Sequence, residues 1–311
     1  MDNVLKINLK PKTSFLTPLR ADTIFGHICW SILSQEGEAS LVEFLELFKK
    51  NPIFLLSDGF ISGYLPSPLM DIAINKEGKE DKIRLLDIHK KFKKKSLIKI
   101  EDLLEIHENG CSDEIMSRIA DEGYYDDFIN TDELVMKNSI NRETGMVLED
   151  GGLFSQQEYW SYSTYSVYVR IMNKELFDRY FISNHLESVF GLSGYGANKS
   201  TGKGLFDVSI EDFNDFDAFN SGRGLLLSHC ILTDNERDFI SGSDYKTVVK
   251  YGKLGEEKAL QGNPFKRPLM QIKPGSILAT DKLFVGGMVQ LVDHNQSILD
   301  YNYGMLIRIN L

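Results

Sequence analysis

Leu5-Lys6-Ile7-Asn8-Leu9-Lys10 alternates apolar and polar side chains with a period of two, the pattern of a β-strand with one face buried. Outward from it, Thr17 with Pro18 in the first turn, or Asp22 slightly later, starts a helix whose apolar face is Ile24, Phe25, Ile28 and Ile32. A second helical stripe, Leu41, Phe44, Leu45 and Phe48, is ended by Pro52. Ile53 to Ile61 then reads as a strand closing on the turn-rich Ser62-Gly63-Tyr64-Leu65-Pro66-Ser67-Pro68. Much further along, Tyr165, Val167, Val169 and Ile171 alternate with Ser166, Tyr168 and Arg170. A helix with Leu176, Phe177, Tyr180, Phe181 and Val189 inside follows and ends at Gly191; a glycine-rich loop then leads to a strand from Leu205 to Ile210. The order strand, helix, strand, strand, helix, strand is the ferredoxin-like β-α-β-β-α-β motif of RRM-type domains.

Residues 75–133 interrupt that order. Six lysines between Lys90 and Lys99, acids clustered from Asp121 to Glu133, and few aromatic anchors outside Tyr124, Tyr125 and Phe128 predict a largely helical insertion. Glu211 to Gly224, rich in Asp, Asn and Gly, reads as a linker. Leu225 to Leu232, Lys246 to Tyr251, Leu283 to Val292 and Met305 to Leu311 then form a second unit that is mostly strands. The expected chain is α+β, with an N-terminal domain over 1–212 and a C-terminal one over 221–311.

Its 311 residues suit two domains of ordinary size or one large one. With 42% hydrophobic and 26% charged residues the composition is globular, which argues against disorder, collagen and a membrane bundle. Lys and Arg number 35 against 45 Asp and Glu, a net charge of −10, so the chain is a poor candidate for binding nucleic acid by bulk attraction. Any such contact must be a local patch. Cys29, Cys111 and Cys230 stand far apart with no C-x-x-C pair, and their odd number points to a reducing, cytoplasmic setting. The start has no apolar h-region, and no segment offers the ~18 uncharged apolar residues of a membrane helix, so secretion and membrane insertion are not expected.

Gly194-Tyr195-Gly196-Ala197-Asn198-Lys199-Ser200-Thr201-Gly202-Lys203-Gly204 holds four glycines, two lysines, two hydroxyls and no acid. Such a loop can wrap phosphates: glycine lets backbone N–H groups turn inward as an anion nest, Lys199 and Lys203 supply charge, and Ser200 and Thr201 donate. It is not a Walker A loop, because Ala197 occupies the first glycine position and Gly204 the final hydroxyl position. It also follows a helix and precedes a strand, the reverse of a P-loop, so ATP and NAD are weakly supported. A flexible glycine-rich turn is the bland reading, which eleven acid-free residues in so acidic a chain oppose.

Lys137-Asn138-Ser139-Ile140-Asn141-Arg142-Glu143-Thr144-Gly145 reads as a β-hairpin with Gly145 suited to positive φ, able to touch an extended RNA strand or to stand exposed without a ligand. Asn263-Pro264-Phe265-Lys266-Arg267-Pro268 places two cations between stiffening prolines; a solvated loop is the alternative. The lysine run from 90 to 99 lacks interleaved glycine or aromatic groups and reads as a solvated helix face. His27 and His185 stand alone on helices, where a packed histidine is the ordinary reading. The six histidines form no pair at metal-ligand spacing, so no metal site is expected. No G-x-S-x-G elbow appears, and solvation explains the Asp126-Asp127 pair.

Phe15-Leu16-Thr17-Pro18-Leu19-Arg20-Ala21-Asp22-Thr23-Ile24-Phe25-Gly26-His27-Ile28-Cys29-Trp30, the Ser139-Ile140-Asn141-Arg142 hairpin, the glycine-rich loop, and Phe265-Lys266-Arg267-Pro268 with Lys273-Pro274-Gly275-Ser276 occur in this order. Together they resemble the fourth Csm subunit, the RAMP protein of type III-A CRISPR effector complexes that holds the 5′ handle of the guide RNA (crRNA). The likeness spans nearly the whole chain outside 75–133. It implies two ferredoxin-like, RRM-type domains with a β-hairpin thumb at about 134–160 acting between guide and target RNA. It also implies assembly with the large polymerase-type Csm subunit and the RAMP backbone filament, and no catalytic site or cofactor.

Carried over, Gly194, Gly196, Lys199, Ser200, Thr201, Gly202 and Lys203 of the loop and Asn141 and Arg142 of the hairpin face the guide RNA. Arg20 and His27 belong to the motif after the first strand, and Lys266 and Arg267 complete the RNA-binding set. The alternative is a metal-independent RAMP endoribonuclease, with His27 or His185 as general base on the 2′-hydroxyl and the loop lysines stabilising the phosphorane. A nucleotide-binding enzyme is a third, more distant class. Because the chain is so acidic, neighbouring subunits are expected to supply the missing positive surface.

Overall fold

The alternation that opens the sequence becomes strand β1 (Val4–Pro11), with Ile7 and Leu9 fully buried. The computed structural model describes residues 3–70, 79–121, 130–148, 152–253, 255, 265–290 and 299–311. Tyr124, Tyr125, Phe128, Asp126, Asp127, Asn263 and Pro264 lie outside these. Helices α1 (Ala21–Glu36) and α2 (Glu38–Lys50) follow, meeting at Gly37. On α1 the predicted face of Ile24, Phe25, Ile28 and Ile32 is buried; on α2 Phe44 and Phe48 are buried while Leu41 and Leu45 are half-buried.

The strand expected over Ile53 to Ile61 is split into β2 (Phe54–Leu56) and β3 (Phe60–Ile61). The chain leaves the sheet there to deliver the buried carboxylate of Asp58, which accepts the Ala21 N–H at 2.9 Å and lies 2.5 Å from His229 Nδ1. β4 (Tyr64–Pro66) leads to the insertion, which is mainly helical: α3 (Lys79–Lys94), α4 (Ile100–Asn109) and α5 (Asp113–Asp121), with β5 (Leu97–Lys99) paired to β4. β6 (Asn130–Asn138) and β7 (Leu153–Ser161) form a two-stranded antiparallel ribbon.

β8 (Tyr165–Ile171) carries the second predicted alternation, but both its faces are buried. Tyr168 packs on Phe213 and Phe216, and Arg170 donates to the carbonyls of Leu283 and Leu306 at 3.1 and 2.7 Å. The helix after it is not continuous. α6 (Lys174–Arg179) and α7 (Ile182–Glu187) break at Phe181, which takes φ +47° and is 62% exposed rather than inside, and a π-helical turn, Ser188–Ser193, carries the chain past Gly191 to Gly194. β9 (Phe206–Asp212) completes the first sheet, whose order is β2-β8-β1-β9 with all neighbours antiparallel. This is the spatial order that a strand, helix, strand, strand, helix, strand chain adopts when its two hairpin strands pair and the outer strand returns beside the first.

Residues 211–224 are not a bare linker. Phe213, Phe216 and Phe219 are buried, two of them covering Tyr168. β10 (Arg223–Leu226), β11 (Thr247–Lys250), β12 (Leu269–Ile272), β13 (Ile277–Leu278), β14 (Phe284–Gln290) and β15 (Leu299–Ile309) follow. They give a four-stranded sheet, β13-β10-β15-β14, and a separate β11–β12 ribbon. The part after Arg223 is strand-rich, as expected; its described helical residues are a 3₁₀ segment, Asp234–Ile240, closed by a Thr233–Glu236 capping box.

One aromatic core runs through both halves. Tyr301 and Tyr303 of β15 pack against Phe25 and Phe48 of α1 and α2, and the Tyr301 hydroxyl accepts the Leu56 N–H at 2.9 Å. Among the described residues no helix is long and apolar enough to cross a membrane.

Candidate nucleic-acid interface

The glycine-rich loop is held in a shape only its glycines permit. Gly194, Gly196, Gly202 and Gly204 all take φ between +71° and +81°, and at Gly204 a Cβ would lie 2.0 Å from the Tyr195 carbonyl oxygen. Tyr195 is the buried peg of the loop: its hydroxyl donates to Pro18 O at 2.7 Å and accepts the Arg20 N–H at 3.2 Å. Gly196 N–H donates to His27 Nε2 at 3.0 Å and Ala197 N–H to Thr17 Oγ1 at 2.9 Å.

These bonds correct the anion-nest expectation. The N–H groups of Tyr195, Gly196, Ala197, Thr201, Gly202, Lys203 and Gly204 all donate within the protein, so most of the loop's backbone donors are spent on its own clamp. What it turns outward is its tip: Ser200, Thr201 and Gly202 are exposed and Lys199 is half-buried.

Lys203 is also turned inward. Its ammonium lies 2.6 Å from Glu158 Oε2 and 2.8 Å from Ser14 Oγ, over the Trp160 ring, while Lys137 reaches the other Glu158 oxygen at 3.0 Å. Glu158 is 1% exposed. Burial alone would raise its pKa, but the hydrogen bonds from Lys203, Ser14 and Lys137 and the Lys203 charge outweigh it and hold the carboxyl at about 2. Lys203 is therefore a structural cation tying the loop to the β6–β7 ribbon, and Asn198 Nδ2 adds a bond to Gln156 at 2.7 Å.

Helix α1 organises the rest. At ~100° per residue Asp22 and Cys29 share one side, His27 lies on another, and Thr23, Gly26 and Trp30 form the strip between, opposite the buried face. On the His27 side stands the glycine loop. On the Asp22 side stands the β11–β12 ribbon. Lys250 Nζ is 2.5 Å from Asp22 Oδ2, and Gln271 Nε2 donates to the same oxygen at 3.2 Å. Burial opposes ionisation of Asp22, yet the Lys250 charge with bonds from Lys250, Gln271 and Thr23 keeps its pKa below the usual carboxylate value. Lys266 lies close enough to Cys29 for its charge to bear on the thiol, which burial pushes up to about 12. A Cβ at Gly255 would sit 3.4 Å from Trp30 Nε1, whereas one at Gly26 would meet open space. The result is a trough floored by Thr23, Gly26 and Trp30, walled by the glycine loop and the ribbon.

Of the predicted residues, Arg20, His27 and the loop gather around this trough, and Lys266 and Arg267 stand on its second wall. Lys266 is committed to Asp300 at 2.8 Å, while Arg267 is exposed. Asn141 and Arg142 are not brought here. They sit at the tip of the hairpin, beyond the Ile140–Val147 bridge, roughly 26 Å along the strand from the Glu158 register. Asn141 Oδ1 accepts the Glu143 N–H at 2.8 Å, which makes it the turn's own support, and Arg142 is exposed. His185 is buried between Ser31 and Glu36, at 2.9 and 3.0 Å, away from the loop tip. The residues that sequence reasoning missed are Glu158, Gly26 and Trp30. Gly26 left a usable trace, since glycine inside a helix costs about 1 kcal/mol against alanine and invites a reason.

No protein-family model matches the chain, and no curated protein does. Solved structures do match in shape over the whole length. One is a chain of the Csm3–Csm4 subcomplex in the type III-A CRISPR-Cas interference complex, with 16% identity and a TM-score of 0.63, covering 99% of this chain and 100% of that one. Two others are chains of Csm1–Csm4 cassettes, in complex with cA4 (19% identity, TM-score 0.59) and with pppApA (20%, 0.58), each covering 99% of this chain and 98% of that one. With its mixed helices and small antiparallel sheets, the chain shares the fold of these chains from Csm1–Csm4 and Csm3–Csm4 assemblies.

Proposed function

We propose that this chain is a non-catalytic, RNA-binding and scaffolding subunit of a type III-A CRISPR effector complex. It holds the 5′ handle of the crRNA, joins Csm1-type and Csm3-type partners, and meets target RNA indirectly. The observation that carries the reading is the trough on α1, where the glycine loop, the Arg20–His27 motif and the 265–267 segment converge in a fold shared with chains that pair with Csm1 and Csm3. Arg20, Lys199 and Arg267 are the cations of its rim, while Lys203 and Lys266 stiffen its walls.

The endoribonuclease alternative has less support. His27 Nε2 already accepts the Gly196 N–H, and His185 is enclosed by Ser31 and Glu36, so neither offers a ring nitrogen to a 2′-hydroxyl without breaking the loop or the core. Handle binding is a property of the assembly, because a −10 chain attracts RNA only within about 8 Å of its few basic groups at physiological salt.

The test is to purify the chain with its neighbouring subunits, sequence the 5′ ends of co-purified RNA, and follow retention against salt for the wild type and for Lys199→Ala with Arg267→Ala. A uniform handle at the 5′ ends, and a salt slope flattened by about two units, are expected. Random 5′ ends, or specific cutting of guide precursor by the chain that disappears in His27→Ala, would overturn the reading.

A further inference from the structure

The β11–β12 ribbon is built inside out. Its register pairs Thr247 with Ile272, Val248 with Gln271, Val249 with Met270 and Lys250 with Leu269, and an isolated bridge joins Lys253 to Phe265 further along. Side chains alternate along a strand, so Val248, Lys250 and Gly252 share one face and Val249, Tyr251 and Lys253 the other. The first face packs on the body and carries the polar groups. Lys250 and Gln271 bind Asp22, Gln271 also binds Asn302, and Lys266 binds Asp300. Val248 and Leu269 share that first face; the second, apart from Ile272, which is buried at the Thr247 end, is turned to solvent and carries apolar groups: Tyr251 is 75% exposed, Phe265 66%, Met270 68% and Val249 49%.

A ribbon that spends buried acids of the body on its cations while exposing two aromatic rings has its amphipathicity reversed. Scattered exposed apolar residues need no reason, but four on one face of one short ribbon do. The charge around them selects the occupant. Residues 247–253 and 265–272 contain no acid, in a chain of net −10; Lys250 and Lys266 are spent on Asp22 and Asp300 on the inner face, and Lys253 and Arg267 are the cations beside the rings. Lys253 Nζ lies 5.9 Å from the Phe265 ring centre, and Arg267 is exposed nearby. Exposed rings interleaved with cations, on a twisted two-stranded platform, suit the π-faces and phosphates of a single strand.

We propose that the outer face of the β11–β12 ribbon, with Tyr251 and Phe265 as its rings, is a stacking platform for unpaired bases of single-stranded RNA. The inference rests on the RNA-binding reading above and extends it from phosphate contacts to base contacts, at residues outside the glycine loop. Because stacking releases no counterions, it carries a signature that phosphate contacts lack: losing it lowers affinity without changing the salt dependence.

The experiment uses the assembled complex with a labelled guide RNA, comparing wild type, Tyr251→Phe, and Tyr251→Ala with Phe265→Ala at several salt concentrations. The double variant is expected to bind about tenfold or more weakly with an unchanged salt slope, Tyr251→Phe to bind as the wild type does, and ultraviolet crosslinks to map to 247–253 or 265–272. Both rings are exposed, so folding is not at stake. Equal affinity of wild type and double variant overturns the proposal while leaving the parent reading intact. A double variant that loses a protein subunit but keeps its RNA does the same and makes the ribbon a protein-docking face. A wild-type assembly that holds no RNA overturns both.

Discussion

Replacing Glu158 with Gln removes the carboxylate that anchors the glycine loop to the β6–β7 ribbon, and its effect can be sized from the pH at which that carboxylate titrates. The fold lowers its pKa from 4.5 to about 2, against burial, through Lys203, Ser14 and Lys137. At ~1.4 kcal/mol per unit this corresponds to about 3 kcal/mol of stability at neutral pH. Gln keeps the shape and can still accept hydrogen bonds, and both lysines are about a quarter exposed, so the expected loss is about 2 kcal/mol. A group with a depressed pKa contributes in full above its unfolded value of 4.5, and that contribution fades as the pH falls toward 2. Urea unfolding of the purified wild type and Glu158→Gln at pH 7, 4.5 and 3 checks this. The gap should be present at pH 7 and 4.5 and shrink to less than half at pH 3. A gap that is absent at pH 7, or equally large at pH 3, would refute the account of Lys203 as a structural cation.

Asp58→Ala leaves His229 and the first turn of α1 without their shared acceptor and should destabilise the chain by about 1–3 kcal/mol in urea unfolding, as leaving buried hydrogen-bonding groups unsatisfied does. Gly204→Ala should abolish the loop's fold, because its Cβ would collide with the Tyr195 carbonyl, whereas Gly202→Ala meets open space and should cost only about 1–2 kcal/mol for its positive φ; comparing melting temperatures separates them. Gly26→Gln should stabilise α1 by about 1 kcal/mol while lowering RNA retention by the assembled complex, since it fills the floor of the trough; a variant that is more stable and binds RNA equally well would remove Gly26 from the interface.

Patterns that record a single buried face were legible in the sequence. Ile7 and Leu9 and the Ile24 to Ile32 stripe follow from local periodicity, and so does the succession of strands and helices along the first sheet, whereas the break of the Ile53 to Ile61 strand at Asp58 does not. Contacts arriving from far along the chain were not. Ser166, Tyr168 and Arg170 look solvent-facing by alternation, yet Phe213, Phe216 and the backbone of residues 283 and 306 cover them. The same distance hid the role of the lysines: Lys203 and Lys266 read as phosphate ligands until Glu158 and Asp300 are placed beside them. The glycines of the loop announced its unusual backbone, but not that its N–H groups would be consumed by Ser14, Thr17 and His27.

The shared aromatic core has a consequence for the order of events during synthesis. β1 cannot complete its pairing until residues 165–212 exist, and α1 and β2 are not closed over until Tyr301 and Tyr303 arrive. Contacts of such long sequence separation make folding slow and late. A ribosome-bound fragment that already carries the Arg20–His27 motif, and even the glycine loop, therefore lacks the second wall of the trough, since Lys250, Lys266 and Gln271 have still to dock on Asp22 and Asp300. The interface proposed above is therefore assembled only after residues 250–303 have joined the fold.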